Sequence, residues 1–236
     1  MRCPRVVAVL LTAATVLTAT VTSADAAATR VIASWRMNES AGARYMADSG
    51  GRGLRGKIGR EVDAGVRVNG AVGYRFERLP PDTPPTRPQH LVTVPDTSAL
   101  DPGDRDFAVT IRLRTTHKFG NVLQKGQAKA YGGNYKLQIP NGIVQCLFRG
   151  SRGSRQVNAP RRINDGAWHT VRCERDRSGL SLAVDGVTVA RVSGWTGTIA
   201  NSWPVTIGGK TDCDQITVGC DYYAGDLDRI EITASR

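Results

Sequence analysis

The sequence is poor in the side chains on which most hydrolases depend. Three histidines and five glutamates occur in 236 residues, and no two of the glutamates are paired in the sequence. There is no Gly-x-Ser-x-Gly elbow, and His90, His117 and His169 lack flanking motifs that would position a general base. The glycines at Gly50–Gly53 do not stand between a strand and a helix, as a phosphate-binding loop requires. These absences exclude the common serine-hydrolase and phosphate-binding motifs.

Long hydrophobic runs are also missing after the N-terminus. Arg2 and Arg5 precede the uncharged apolar run Val6–Val21, which is followed by the small residues of Ala24–Ala28. This order is typical of a secretory signal peptide, and the run is shorter than the ~20 residues that span a bilayer. We therefore predict a signal peptide at residues 1–28, no membrane span, and an exported, extracellular chain. Residues 29–236 suit one β-sandwich domain.

Four cysteines remain after the predicted leader, and an even number in an exported chain indicates disulfides. Four cysteines allow three pairings. The alternation of apolar residues places Cys146 and Cys173 on the core-facing sides of their strands, which favours the pair Cys146–Cys173 and leaves Cys213–Cys220 to close a short loop. Zinc is disfavoured because the spacings include no Cys-x2-Cys and no histidine is nearby.

The clearest secondary-structure signal lies between Asp165 and Val192. A short strand ends at Cys173, and apolar residues then alternate with polar ones from Leu180 to Val184. Asp185-Gly186 joins this run to a further strand, and Asp-Gly between apolar runs is a strong hairpin signal because both turn positions need φ > 0. This stretch therefore predicts three consecutive antiparallel strands.

Further strands are predicted along the chain, and no helical periodicity of useful length follows the leader. Pro140-Asn141-Gly142 predicts a second hairpin, whereas Asn38–Gly59 and Pro80–Pro88 have loop character. The additional strands are predicted at Val31–Trp35, Leu91–Val94, Phe107–Thr115, Tyr135–Ile139, Ile143–Phe148, Val205–Ile207 and Leu227–Ile232. The pattern is all-β with regular turns, which indicates a sandwich or jelly roll.

Several of these motifs carry a family resemblance. The runs Trp168–Val171, Leu180–Gly186, Ile207–Gly209 and Gly225–Asp228 resemble those of laminin G-like domains in the concanavalin A-like lectin/glucanase superfamily. The resemblance extends from about Ala33 to Thr233 and implies a jelly-roll β-sandwich of two antiparallel sheets. That superfamily includes lectins, adhesion modules and glycosidases, so the fold alone leaves the activity open.

The resemblance also supplies a test for glycosidase activity. Family 16 glycosidases of this superfamily carry Glu-x-Asp-x-x-Glu on one strand, and such enzymes need two carboxylates beside the scissile bond. The nearest match, Asp226–Glu231, departs at its first position, and period 2 places Asp226 and Asp228 on one face with Glu231 on the other. We predict that the protein is not an enzyme. A glycosidase with a degenerate carboxylate motif is the alternative.

Calcium is the cofactor that the resemblance implies. If the first and last strands pair, Asp48 in the loop after the first strand could approach Asp226 or Asp228, and carboxylate oxygens suit this hard cation. We therefore predict a structural calcium site at these three residues. Asp48 could instead cap a turn through its own backbone hydrogen bonds. A second, weaker acidic cluster is formed by Asp212, Asp214 and Asp221.

Ligand recognition is predicted on the outward positions of the middle strands, where arginine is frequent and can bind carboxylate or sulfate bidentately. The predicted ligand-binding residues are Arg112, Arg114, Lys136, Gln138, Arg149, Arg172 and Trp195. The net charge of +11 favours acidic partners, although it could equally serve solubility.

We predict a monomeric, non-catalytic module that binds an extracellular glycan, preferably acidic, or a glycan-bearing protein, rather than nucleic acid. A structural or adhesive module with a protein partner is a further alternative. The adhesive alternative needs an exposed apolar patch, whereas the glycan-binding module needs a basic or aromatic one.

Overall fold

A computed structural model describes residues 28–80, 86–211 and 222–235. These residues contain sixteen strands and two short 3-10 helices, Pro88–His90 and Ser98–Leu100. The first eight strands are β1 (Thr29–Trp35), β2 (Tyr45–Met46), β3 (Gly56–Ile58), β4 (Val62–Val68), β5 (Ala71–Phe76), β6 (Val92–Val94), β7 (Phe107–Arg114) and β8 (Asn121–Lys125). The others are β9 (Asn134–Gln138), β10 (Ile143–Gly150), β11 (Gly153–Arg162), β12 (His169–Arg175), β13 (Gly179–Val184), β14 (Val187–Ser193), β15 (Val205–Ile207) and β16 (Gly225–Ser235).

The strands form two antiparallel eight-stranded sheets. Sheet A has the order β14-β13-β12-β7-β16-β5-β4, and β1 also pairs with β16. Sheet B has the order β11-β10-β9-β8-β15-β6-β3-β2. The pairing of β1 with β16 joins the two ends of the described chain, with Ser34 opposite Glu231. The all-β jelly-roll sandwich predicted from the sequence is confirmed.

The core lies between the two sheets, where period-2 alternation directs apolar side chains from both. Three rings from different sheets meet there: Phe107 of β7 lies 5.2 Å from Tyr135 of β9, and Tyr135 stacks on Phe148 of β10 at 5.7 Å. The disulfide Cys146–Cys173 links β10 of sheet B to β12 of sheet A. The predicted pair is confirmed, whereas Cys213 and Cys220 lie outside the described residues.

Both predicted hairpin turns are present, and their backbone geometry explains their sequences. Asn141 and Gly142 have φ of 55° and 78°, and Asp185 and Gly186 have φ of 51° and 80°. Two consecutive residues with positive φ match the twist of the flanking strands, which is why Asn-Gly and Asp-Gly occur here. The turns join β9 to β10 and β13 to β14.

Six strands are not predicted by the sequence. β2 and β3 lie inside Asn38–Gly59, whose composition predicts a loop, and strands of two and three residues are too short to show alternation. The other four are β4, β5, β8 and β11. β8 is buried at every position, and β11 ends in the polar sequence Pro160–Arg162, so neither shows a clean period-2 pattern. Within residues 28–80, 86–211 and 222–235, no helix is long and apolar enough to cross a membrane.

Candidate functional site

A cavity of about 350 Å³ opens on the outer face of sheet B, along β8 and β9. Its lining is dominated by side-chain amides and includes two lysines and one exposed aromatic ring. The lining residues in the described part of the chain are Phe119, Gly120, Asn121, Gln124, Gln127, Ala128, Asn134, Lys136, Gln138, Ile139, Pro140 and Lys210. No aspartate or glutamate is among them.

Strand alternation separates this polar face from the core. On β8 and β9, Leu123 and Leu137 are register partners and both belong to the core. The next pair along the ladder, Gln124 and Lys136, points to the opposite face of the sheet and lines the cavity. A bulge in β8 between Asn121 and Leu123 brings Asn121 to the cavity side, opposite Gln138. The outward face of two neighbouring strands is therefore built almost entirely of amides.

The amides continue beyond the cavity as a row across three strands. Gln138, Gln145 and Asn158 are register partners on β9, β10 and β11. The Nε2 group of Gln138 donates to Oε1 of Gln145, whose own Nε2 donates to Oδ1 of Asn158 at 2.9 Å. This chain of hydrogen bonds fixes the side chain of Gln138 at the edge of the cavity.

Two asparagines at the base of the cavity have unpaired polar atoms. Asn121 is fully buried, and neither its Nδ2 nor its Oδ1 has a hydrogen-bond partner. Asn134 is 3% exposed, and its Oδ1 is also unpaired. Buried polar atoms are nearly always paired, because an unsatisfied one costs about 1–3 kcal/mol. A bound group or an ordered water molecule in the cavity would supply the missing partners.

The rim combines an exposed ring with a loop held in place by an arginine. Phe119 lines the cavity and remains 53% exposed. At the other end, Nη2 of Arg149 donates to the carbonyl oxygens of Gln127 at 3.1 Å and Ala130 at 2.9 Å. These bonds connect β10 to the loop that carries Gln127 into the lining. The predicted ligand-binding residue Arg149 thus borders the cavity and orders its wall.

The other predicted ligand-binding residues do not form one site. Lys136 and Gln138 lie together in the cavity of sheet B. Arg112 and Arg114 belong to β7, and Arg172 belongs to β12, so all three are on sheet A. Sequence alternation identifies outward positions but not the sheet to which a strand belongs. For this reason the predicted ligand-binding site combines residues that lie on two different sheets.

The sheet A arginines are paired with carboxylates. Arg114 contacts Asp226 at 2.8 Å, Arg112 pairs with Asp228 and stacks 4.6 Å from the ring of Trp168, and Arg172 contacts Glu174 at 3.3 Å. Their charge is therefore largely balanced within the sheet.

Trp195 also has a structural contact. The guanidinium of Arg175 lies 4.3 Å from the centre of the Trp195 ring and donates to the carbonyl oxygens of Gly103 at 3.0 Å and Gly197 at 2.8 Å. Arg175 is fully buried, and this burial lowers its pKa to about 10. Trp195 therefore covers a buried cation, and its ring face is already occupied.

The three aspartates predicted to bind calcium do not fit that ion. The carboxylate of Asp48 accepts four backbone N–H groups, from Ser34 (3.1 Å), Gly50 (2.8 Å), Arg52 (3.0 Å) and Leu54 (3.2 Å). These donors occupy the lone pairs that a cation would need, and Asp48 acts as a turn residue.

Asp226 and Asp228 are likewise engaged. Asp226 is buried and contacts Arg75 and Arg114, each at 2.8 Å, while Asp228 pairs with Arg112. No group of three or more metal-ligating side chains occurs among the residues that the structure describes. Asp212, Asp214 and Asp221 lie outside those residues.

A larger depression of about 530 Å³ lies on sheet A and includes Arg172. Its lining mixes Arg172 and Arg191 with Glu174 and Asp176, and no lining side chain in the described chain has an unpaired buried polar atom. The sheet B cavity has unpaired buried amides and an exposed ring, and is therefore the stronger candidate.

The sequence does not predict the most informative residues of the cavity, which are Phe119, Asn121, Gln124 and Asn134. The available signal was the run 121–125 between Gly120 and Gly126, a short strand bounded by glycines that carries two amides. The sequence does not show which strands flank this run in the sheet, so the run looks the same as a polar connection.

Comparison with known proteins identifies the family. The sequence profile of the laminin G domain matches residues 113–233, which is more than half of the chain. The chain belongs to the laminin G domain family. This domain is also 32% identical over 114 residues to mouse laminin subunit alpha-1. That match covers 44% of this chain and only 4% of the relative, so the chain spans a small fraction of the length of that curated relative.

Solved structures show the same fold. Domains LG4-5 of the mouse laminin alpha1 chain superpose with a TM-score of 0.50 and 20% identity, covering 72% of this laminin G domain chain and 43% of that one. Domain 4 of a GH43 extracellular arabinanase from Geobacillus stearothermophilus, solved in complex with arabinotriose, superposes with a TM-score of 0.57 and 13% identity. That comparison covers 88% of this chain and 93% of the arabinanase domain. At these identities the similarity establishes the fold.

Proposed function

We propose that this laminin G domain is an exported, monomeric, non-catalytic module that binds an extracellular glycan in the cavity of sheet B. The observation that carries the proposal is the set of buried, unpaired amide atoms of Asn121 and Asn134 beneath an exposed phenylalanine. The predicted signal peptide at residues 1–28 supports export. Membership of the family supports a role in binding, and binding does not need the pair of carboxylates that a glycosidase requires.

The chemistry of the cavity suits a sugar. Side-chain amides both donate and accept hydrogen bonds, as sugar hydroxyl groups do, and five of them line the cavity: Asn121, Gln124, Gln127, Asn134 and Gln138. The ring of Phe119 offers an apolar face at the rim against which the C–H side of a sugar ring can pack. A volume of about 350 Å³ lies within the ordinary range of small-ligand sites.

The net charge of +11 favours an acidic glycan over a neutral one, because it attracts polyanions at long range. The arabinotriose in the arabinanase neighbour provides support of a different kind, since it shows that a domain of this fold accommodates a short oligosaccharide.

Cleavage of the bound glycan is not part of the proposal. The nearest sequence match to a glycosidase motif, Asp226–Glu231, lies on β16 of sheet A rather than in the cavity. Asp226 and Asp228 are each held by guanidinium groups, so neither is placed to act as a nucleophile or a general acid.

The test is a binding panel with the oxidised full chain. Arabinan, galactan, β-glucan, polygalacturonate and heparin are titrated against the wild type, Phe119→Ala and Tyr45→Ala. Tyr45 is a matched control because it is 56% exposed, similar to Phe119, but lies on β2 at the far edge of sheet B. We expect at least one acidic member to bind, with affinity reduced several-fold by Phe119→Ala, unchanged by Tyr45→Ala, and no release of reducing ends.

Three results would contradict the proposal. Binding to no member of the panel would remove the glycan function. Equal losses in the Phe119 and Tyr45 variants would move the site away from the cavity. Release of reducing ends that is abolished by Asp228→Ala or Glu231→Ala would show that the protein is a glycosidase.

A further inference from the structure

The base of the cavity contains three buried polar atoms that have no hydrogen-bond partner. Asn121 presents one unpaired donor, Nδ2, and one unpaired acceptor, Oδ1, in a single planar amide. Asn134 adds a second unpaired acceptor, Oδ1. The group that completes this base must therefore supply at least two donors and at least one acceptor. Both side chains are more than nine-tenths buried, so bulk water does not satisfy them.

Neutral and anionic groups differ in how well they can pair with these donor and acceptor atoms. An ionised carboxylate or sulfate has only acceptors, so it can pair with Nδ2 of Asn121 but leaves both Oδ1 atoms facing its own lone pairs. A hydroxyl group both donates and accepts. Two neighbouring ring hydroxyls can donate to the Oδ1 atoms of Asn121 and Asn134 and accept from Nδ2 of Asn121, which satisfies all three atoms.

We propose that Asn121 and Asn134 are the specificity-determining residues of the cavity and that they take adjacent neutral ring hydroxyls of the bound glycan. The inference rests on the proposed function of the cavity. It deepens that function by naming the part of the glycan that the buried asparagines recognise, which is the neutral hydroxyl groups of the sugar ring rather than an acidic substituent.

The surrounding structure holds Asn121 ready for this role. Its register partner Gln138 is fixed by the hydrogen-bonded amide row through Gln145, so it does not turn towards Asn121 to pair with it. The bulge in β8 sets the position of Asn121 relative to the rest of the strand. An amide left unpaired by a rigid neighbourhood is pre-organised for a ligand, because no internal bond must break on binding.

The experiment replaces each amide with an apolar side chain of similar size. Asn121→Leu and Asn134→Leu are compared with the wild type for binding of the panel members that the wild type retains. We expect Asn121→Leu, which loses two hydrogen bonds to the glycan, to weaken binding about tenfold or more, and Asn134→Leu, which loses one, to weaken it about fivefold. We also expect the melting temperature of Asn121→Leu to equal or exceed that of the wild type, because the substitution removes unpaired buried atoms.

Asn38→Leu is the matched control. It makes the same substitution at an exposed asparagine that lies outside both the cavity lining and the amide row. We expect its binding to match the wild type. Polygalacturonate is also tested before and after reduction of its carboxyl groups, and the reduced form should remain sensitive to Asn121→Leu.

The outcomes separate this inference from the proposed function. If the wild type binds no glycan, the proposed function fails. If the wild type binds and loses affinity with Phe119→Ala, but both leucine variants bind as tightly as the wild type, the function stands and the role of the asparagines is wrong. A fall in melting temperature that accounts for the lost binding of both variants would show that the asparagines are structural, and would also overturn the inference.

Discussion

The Nζ atom of Lys125 lies 2.8 Å from Oδ1 of Asp101 in a position where the lysine is fully buried. Asp96 contacts the same Nζ at 2.8 Å, and Oδ1 of Asn201 accepts from it at 3.2 Å. The ammonium group therefore ties β8 to the segments before β7 and β15. A buried charge is tolerated only when its donors are satisfied, and here several oxygens surround it.

The first prediction follows from this arrangement. Lys125→Met should lower the free energy of unfolding by about 3 kcal/mol, because it leaves the half-buried carboxylate of Asp101 without its cation. Urea denaturation measures the change. Lys129→Met is the control, since Lys129 is exposed and its loss should cost less than about 0.5 kcal/mol. A cost for Lys125→Met as small as that of the control would contradict the structural role.

The second prediction concerns the disulfide Cys146–Cys173, which closes a sequence separation of 27 residues and joins the two sheets. Replacing both cysteines with alanine should lower the free energy of unfolding by about 3–4 kcal/mol, from the entropy of the closed loop in the unfolded chain. Denaturation with and without reductant checks this value. Non-reducing peptide mapping should recover Cys146 joined to Cys173 and Cys213 joined to Cys220. A cross-link between Cys146 and Cys213 would refute both pairings.

The third prediction distinguishes a turn residue from a calcium ligand at Asp48. Asp48→Ala should lower the free energy of unfolding by about 1–2 kcal/mol, because four backbone N–H groups lose their acceptor. The loss should be the same in calcium and in chelator, and wild-type melting curves should overlay in the two. A calcium-induced rise in melting temperature that Asp48→Ala abolishes would show instead that the residue binds the ion.

Asp48 should also contribute to the acid sensitivity of the fold. Partial burial raises its pKa, but the four backbone donors outweigh that effect and hold the pKa below its usual value. A depressed folded-state pKa stabilises the protein above the unfolded pKa, and this contribution is lost as the pH falls through the folded value. Asp48→Asn should therefore show a smaller loss of unfolding free energy on acidification than the wild type.

The fourth prediction concerns His169, whose ring lies between two carboxylates. Nδ1 is 2.7 Å from Asp185 and Nε2 is 3.2 Å from Asp165. Burial lowers its pKa, but the hydrogen bonds to Asp185 and Asp165 outweigh burial and raise it above the usual value. A raised pKa stabilises the fold below the unfolded pKa, and the effect is lost as the pH rises through the folded value.

The unfolding free energy of the wild type should therefore contain a component that falls as the pH rises from below about 6.5 through the folded pKa. His169→Gln should remove that component, and denaturation curves at several pH values measure it. Burial lowers the pKa of His117, so its contribution to the unfolding free energy changes with pH in the opposite direction and serves as an internal comparison. A His169→Gln variant with the same pH dependence as the wild type would show that this ion-pair cluster has no effect.

Local patterns in the sequence determined several features of this protein. Asn141-Gly142 and Asp185-Gly186 specify their hairpins because the turn geometry depends only on adjacent residues with positive φ. The alternation in β10 and β12 identifies their inward faces, and from these faces the Cys146–Cys173 pair could be predicted. The closing of the sandwich by the first and last strands was expected from the family resemblance and is present in the pairing of Ser34 with Glu231.

The site, in contrast, depends on which strands are neighbours. Period 2 shows that Arg112 and Lys136 both point away from the core, but only the sheet order places them on opposite sheets. Carboxylates distant in sequence pair with Arg112 and Arg114, and backbone amides surround Asp48, so their roles change with tertiary context. Asn121 reaches the cavity through a bulge that has no sequence signal. Alternation is encoded locally, whereas contacts between strands are long-range, and a binding cavity consists of such contacts.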